Sequence, residues 1–273
     1  MHEEGDARYL TFKRLDQCQG LRHLFTTRWG GISEGPCENW NLGFGTGHDP
    51  DTPEHRKYNV EMLARCMGTT PDRTVWSEQT HSTNIRIVTE EDLGKGGVRP
   101  RDYHEVDGLV TDLPEVCLVT LHADCNAVYF YDPVHRVIGL AHSGWKGTLN
   151  QISACMVSLM KDRYGTRPAD LICGIGPSLC QDCFEVDEDV AEMFFQAGHR
   201  ELAYSRINGE GITKYYINLW KIIENTLTAE GVKRENVLTM GLCTKENLDT
   251  FFSHRGQHGW RGLMAAAMML TGG

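Results

Sequence analysis

Long apolar runs are missing from this 273-residue chain; the longest, residues 263–270, falls far short of the roughly 20 residues a membrane-spanning helix needs. The opening residues, Met1-His-Glu-Glu-Gly-Asp6, are acidic and carry neither the basic nor the apolar part of a signal peptide, so a cytoplasmic location is expected. Basic residues are in deficit: 27 Lys and Arg face 37 Asp and Glu, for a net charge of -10. With no basic stripe, nucleic acid is excluded as the main partner, as is a membrane. Internal repeats and low-complexity linkers are also absent. What is present, 40% hydrophobic and 23% charged residues, suits a globular protein and excludes a mainly disordered one. The length can bury a large core, and residues 1–273 are expected to form a single domain.

Ten cysteines would suggest a disulfide framework in a small secreted domain, but nothing here directs secretion, so they are expected to be reduced. Cys117, Cys155 and Cys173 sit in apolar runs, where a thiol behaves as a small buried hydrophobe. That leaves Cys125 beside an aspartate, the Cys180-Gln-Asp-Cys183 pair, and Cys243.

Short β-rich runs predict strands at 84–88, 106–111, 116–121, 127–131 and 137–141. Leu149, Ile152, Met156, Leu159 and Met160 recur at helical spacing, predicting one amphipathic helix over 147–164. A strand is expected at 171–175, helices at 187–196 and 219–229, and strands at 237–242 and 250–253. Residues 94–101 and 205–211 read as loops. The fold class is α/β or α+β, with mixed sheets flanked by a few helices.

Chemistry-bearing residues gather where strands end. Leu121-His-Ala-Asp-Cys125 closes one run and Leu140-Ala-His142 another, so neighbouring strands would bring Cys125 and His142 together. Cys and His are ligands that zinc prefers, and three protein ligands leave a fourth position for water or substrate. His81, in the Gln79-Thr80-His81 turn, is the natural third ligand, although a lone buried histidine is more often a hydrogen-bonded core residue. After His142, Ser143-Gly-Trp-Lys-Gly147 lies between a strand and a helix, which offers an anion free amides, Lys146 and close approach at Gly144. The plainer reading is a tight turn with an exposed lysine. Asp107 is expected to fix a turn before Gly108.

In order, the motifs QTH, EVDGLVTD, ADC, AHSGWKGTL, GIGPSLCQDCFEV, CT and FFSHR resemble those of the polyphenol oxidase or laccase-domain family, whose members are also described as purine nucleoside phosphorylases and adenosine deaminases. The resemblance runs from Arg28 through Arg261. It implies α-β-β-α layers in one domain and metal ligands at His81, Cys125 and His142. It also implies substrate-binding roles for Arg28, Asn41 and Gln79, a polar role for Asp124, and phosphate-facing charge at Lys146 and Arg255. Departures are Asn126-Ala127 after ADC, where the family has a residue then proline; His254, where tyrosine is common; and Gly259-Trp-Arg-Gly-Leu-Met264, which puts a site role for Arg261 in doubt.

The laccase name implies copper, which has its own ligand pattern. Multicopper sites of the cupredoxin type use His-x-His pairs, and the twelve histidines here form none. Copper could still occupy a Cys and two His, so phenol oxidation stays open as a copper-dependent alternative. Two further readings remain. One is a cysteine hydrolase with Cys125 as nucleophile and His142 as base. The other is a zinc-bound interaction module built on Cys180 and Cys183, for which no second Cys-x-x-Cys is available. The reading adopted is a zinc enzyme acting on small molecules, namely phosphate and a purine nucleoside such as adenosine, inosine or methylthioadenosine. In this reading Asp124, Cys125 and His142 carry catalysis.

Overall fold

Alternation along one strand decides the architecture. In Met264–Leu270, Met264, Ala266, Met268 and Leu270 enter one buried cluster, while Ala265, Ala267 and Met269 enter another, as the two faces of a strand buried on both sides must. In the computed structural model, which describes residues 1–43 and 51–272, this strand is central to a six-stranded sheet. The sheet's order is His2–Glu4, Ala7–Leu10, Leu21–Thr26, Met264–Leu270, Cys117–His122, Thr74–Trp76. A second six-stranded sheet runs Val237–Thr239, Ile172–Ile175, Asn126–Asp132, Val137–Ser143, Gly108–Thr111, Ile85–Ile87.

The two sheets face each other across Phe25, Leu118, Met268, Tyr129, Ile138 and Leu140. On the outer face of the first, Val60, Leu63 and Met67 of the helix Pro53–Cys66 and its end cover Leu24, Val119 and Ala267. On the outer face of the second, Val128, Phe130 and Ala141 meet Met156 and Met160 of the helix Ile152–Tyr164 and Ile223 and Leu227 of the helix Leu219–Ala229. The layers are therefore helix, sheet, sheet, helices, the α+β arrangement that the sequence motifs imply. A smaller sheet, Glu185–Val186, Thr213–Ile217 and Ala203–Ile207, packs with the helix Glu188–Gln196 beside them. No helix among the described residues is long and apolar enough to cross a membrane.

Several expectations are corrected. The helix expected over 147–164 is two helices, Trp145–Leu149 and Ile152–Tyr164, because Gln151 takes a left-handed conformation (φ 59°) and redirects the chain. Cys155, expected in the core, is exposed, since the buried face of the second helix is Ile152, Ser153, Met156, Val157 and Met160. The loop expected at 205–211 is partly strand: Ser205, Arg206 and Ile207 pair with Tyr215, Lys214 and Thr213. Residues 250–253 form no strand; Phe251 and Phe252 are buried in the core from a turn. The apolar run at 263–270, excluded as a membrane span, is the central strand.

Candidate metal centre

Two connections cross from one sheet to the other at the same end of the molecule. Residues 123–125 lead from Cys117–His122 into Asn126–Asp132, and residues 77–84 lead from Thr74–Trp76 toward Ile85–Ile87. The first delivers Cys125 and the second His81. His142 comes from Val137–Ser143, where the antiparallel register pairs it with Ala127, two residues beyond Cys125. Asn126 fastens the seam by donating to the Ser143 carbonyl (3.0 Å) and accepting from Ser178 Oγ (2.7 Å).

The ligand atoms of His81, Cys125 and His142 lie within 4.8 Å of one another, with Cys125 Sγ 3.9 Å from His81 Nε2. The rings of His81 and His142 stand edge to face, 5.0 Å apart at an interplanar angle of 76°. His142 Nδ1 bonds to Asp107 Oδ1 (2.8 Å), which leaves Nε2 for Cys125. A thiolate and two imidazoles this close match the donors around one tetrahedral zinc, whose bonds run about 2.0–2.3 Å. A carboxylate behind a ligating histidine is also the usual means of fixing its tautomer and direction.

Electrostatics reinforce the geometry. Burial pushes the Cys125 thiol up, but the charge of His142 and hydrogen bonds from His142 and His81 bring it down to about 6. Burial opposes charge on His142, yet the Cys125 thiolate and Asp107 raise it to about 9. Without metal, Cys125 and His142 therefore form a thiolate–imidazolium pair. Asp107 is pushed up by burial and pulled further down by His142 and Ser82, ending below the usual carboxylate range. His122, next to the Cys125 loop, donates from Nδ1 to the Cys125 carbonyl (3.1 Å) and faces Thr120 Oγ1 through Nε2 (2.8 Å). Burial and the charge of His142 hold it well below the usual imidazole value, so it is a neutral prop for the loop.

The three donors open into a cleft of about 620 Å³. Gln79, Asp124 and Arg255 line it; Arg28, Asn41, Gly144 and Lys146 are not among the lining residues. Gln79 is clamped to Leu121, donating to its carbonyl (2.6 Å) and accepting its amide (2.7 Å). Asp124, at φ 89°, accepts from Thr244 Oγ1 and the Arg255 amide, both at 2.7 Å. Arg255 also donates to the Glu185 carbonyl (2.8 Å). Arg28 donates to the Leu248 carbonyl (2.8 Å) and lies over the Phe252 ring. Asn41 is buried and accepts the amides of Gly43 and Leu263, both at 2.9 Å. Lys146 lies over Trp145. Gly144 touches the centre from behind: a Cβ there would come within 2.5 Å of His81 Cδ2 and 3.2 Å of Cys125 Sγ.

Arg261, which the sequence left in doubt, lines the cleft and buries its Nε without a hydrogen-bond partner. Burial lowers its pKa against the pull of Asp124. His254 lies beside it, held below the usual imidazole range by burial and by Arg261. No sequence signal marked Asp107 as the partner of His142, or Arg261 as a cleft residue, because both depend on contacts between distant segments.

Residues 22–271 match the family described as multi-copper polyphenol oxidoreductase laccase. Purine nucleoside phosphorylase YlmD of Bacillus subtilis is 35% identical over 247 residues, 88% of this chain and 85% of its own length. A purine nucleoside phosphorylase of Bacteroides thetaiotaomicron is 33% identical over 251 residues, 92% of each chain. Among solved structures, the hypothetical protein YfiH of Bacillus licheniformis superposes with a TM-score of 0.87 at 33% identity, covering 96% of both chains. YlmD of Geobacillus stearothermophilus gives 0.85 at 30% identity, covering 100% of this chain and 98% of its own. With a match across nearly its whole length and relatives above 30% identity, the chain belongs to the multi-copper polyphenol oxidoreductase laccase family.

Proposed function

We propose that the chain, residues 1–273 read as one domain, is a zinc-dependent purine nucleoside phosphorylase acting on adenosine, inosine or methylthioadenosine. The observation that carries this reading is the His81–Cys125–His142 donor set opening onto a cleft that Arg255 and Arg261 also line. The names of the relatives point the same way. Zinc at the three donors would supply a fixed positive charge that polarises a bound oxygen, without redox chemistry.

In phosphorolysis a phosphate oxygen forms a bond to C1′ of the ribose, and the bond from C1′ to N9 breaks with its electron pair leaving on the purine, which then takes up a proton. Arg261 offers a planar fork for a phosphate, and Arg255, which also lines the cleft, adds positive charge. Asp124 serves as a positioning residue, since Thr244 and Arg255 each engage one of its oxygens. That leaves it poorly placed as the proton carrier adenosine deamination would need. Fixing both reactants relative to each other can supply about 7–11 kcal/mol of the barrier.

The test is base release from inosine and adenosine. It is expected to require both phosphate and zinc and to disappear in Cys125→Ser, with no phenol oxidation unless copper is added. Base release that survives complete removal of zinc overturns the reading. A second reading, a cysteine hydrolase, is favoured by the Cys125–His142 ion pair, with Asp107 behind the histidine. It requires hydrolysis by the metal-free protein that iodoacetamide abolishes, and its absence removes this alternative.

A further inference from the structure

Away from the His81–Cys125–His142 centre, two loops repeat one spacing. Cys180-Gln-Asp-Cys183 and Cys243-Thr-Lys-Glu246 each place two metal-ligating side chains around two other residues. Although 63 residues separate the loops, the fold lays them side by side. Ser178 and Cys243 form a parallel bridge, with the Ser178 amide donating to the Leu242 carbonyl and the Thr244 amide to the Ser178 carbonyl, both at 3.1 Å. The three sulfurs and a Glu246 carboxylate oxygen lie within 4.8 Å of one another. Cys183 and Cys243 are buried, Cys180 is half-buried, and Glu246 is at the surface.

Local geometry is that of a metal knuckle. The Cys183 and Phe184 amides both donate to the Cys180 carbonyl, at 3.1 and 3.0 Å, curling the loop so that its two thiols share one side. Asn247 Nδ2 donates to the Cys243 carbonyl (2.8 Å), holding the second loop. The Cys180 amide points at Cys243 Sγ (3.4 Å), a donor suited to an anionic sulfur. A tetrahedron with Zn–S bonds of about 2.3 Å has edges of about 3.8 Å, so donors within 4.8 Å close on an ion by small side-chain rotations. Three sulfurs exclude calcium and magnesium, which take oxygen ligands, and select a zinc-class cation.

We propose that Cys180, Cys183, Cys243 and Glu246 form a second metal site, a structural zinc site with four protein ligands and no open position. Surface-exposed Glu246 gives the ion its way in. The site fastens one wall of the cleft: Leu179 and Phe184, which flank the first loop, line the cleft. Thr244, between the two ligands of the second loop, holds Asp124. The assignment does not depend on the reaction at the other centre.

Cobalt(II) added alone to the reduced protein tests it, because thiolate-to-cobalt charge transfer reports sulfur ligands. The band is expected to persist in Cys125→Ala, which removes the only thiolate of the first centre, and to vanish when Cys180→Ser and Cys183→Ser are added. X-ray absorption of the zinc-loaded wild-type protein is expected to show about two sulfurs per zinc averaged over two sites, where the first centre alone gives about one. Glu246→Gln, a surface change that leaves the fold intact, is expected to weaken the second zinc at least tenfold and leave the first in place. A folded Cys125→Ala protein without the band overturns the proposal. So does a wild-type protein with about one sulfur per zinc, or one in which these cysteines are joined as a disulfide and exclude metal.

Discussion

Asp107 Oδ1 lies 2.8 Å from His142 Nδ1 and also accepts the His81 amide at 3.1 Å, so one carboxylate oxygen fixes two of the three donors of the centre. Its other oxygen takes the amides of Thr80 and Ser82 and the Ser82 hydroxyl. The turn that presents His81 at φ 66° is thus tied to the strand that presents His142.

Asp107→Asn is therefore expected to weaken zinc by 10–100-fold, the usual scale for losing a partner behind a ligating histidine. The amide keeps one oxygen, but its NH₂ would face the N–H groups of Thr80 and Ser82 or the ring of His142, and no rotamer satisfies all of them. Competition with a chromogenic chelator measures the change. Unaltered zinc affinity would refute the coupling of the two histidines through Asp107.

Gly144→Ala isolates the close approach behind the centre. Gly144 has φ -67°, an ordinary conformation for alanine, so backbone strain is not the obstacle. The added methyl would instead stand 2.5 Å from His81 Cδ2 and displace that ring. We expect loss of zinc at the His81–Cys125–His142 centre with little change in far-ultraviolet circular dichroism. A Gly144→Ala protein that still fills this centre with zinc would contradict the geometry.

Arg261→Lys tests the anion side of the cleft. Lysine keeps the charge but not the fork, so the KM for phosphate is expected to rise at least tenfold while the KM for inosine changes little. Equal rises for both substrates would show that Arg261 shapes the cleft without meeting phosphate.

Of the centre, Cys125 and His142 were legible from the strand pattern, whereas His81, 44 residues before Cys125, rests on the family motifs. Cys125 and His142 stand at the open end of one hairpin, so neighbouring strands predict their proximity, and the observed register with Ala127 opposite His142 agrees. Partners that meet only through the fold and that no motif marks were not legible. Asp107 reaches His142 across 35 residues, and Cys243 and Glu246 complete the Cys180 and Cys183 pair across 63. Composition misled where a residue's direction mattered. Cys155 sits in an apolar run but on the outer face of its helix, and the break at Gln151 interrupts a helical pattern that continues on both sides of it. Residues 263–270 showed no alternation because both faces of that strand are covered, one by the facing sheet and one by a helix.

His23 supplies a pH dependence separate from the metal centre. Its Nε2 accepts the Phe12 amide at 2.8 Å inside the core, and Asp16 Oδ1 stands 3.9 Å away. Burial lowers its pKa to about 4; Asp16 opposes the shift and His2 adds to it. Because the folded value lies below the unfolded one, the unfolded chain takes up this proton first as pH falls. Stability is full above about pH 6.5, declines through the window down to about 4, and levels off below it, for a total of about 3 kcal/mol. In His23→Gln the amide oxygen can accept the Phe12 amide without titrating. The stability difference between the variant and the wild type, from urea unfolding at fixed zinc, is therefore expected to move in the variant's favour by about that amount between pH 7 and pH 4. The metal ligands titrate in both proteins and cancel in the comparison. Parallel pH curves for the two would show that His23 carries its proton equally in the folded and unfolded states.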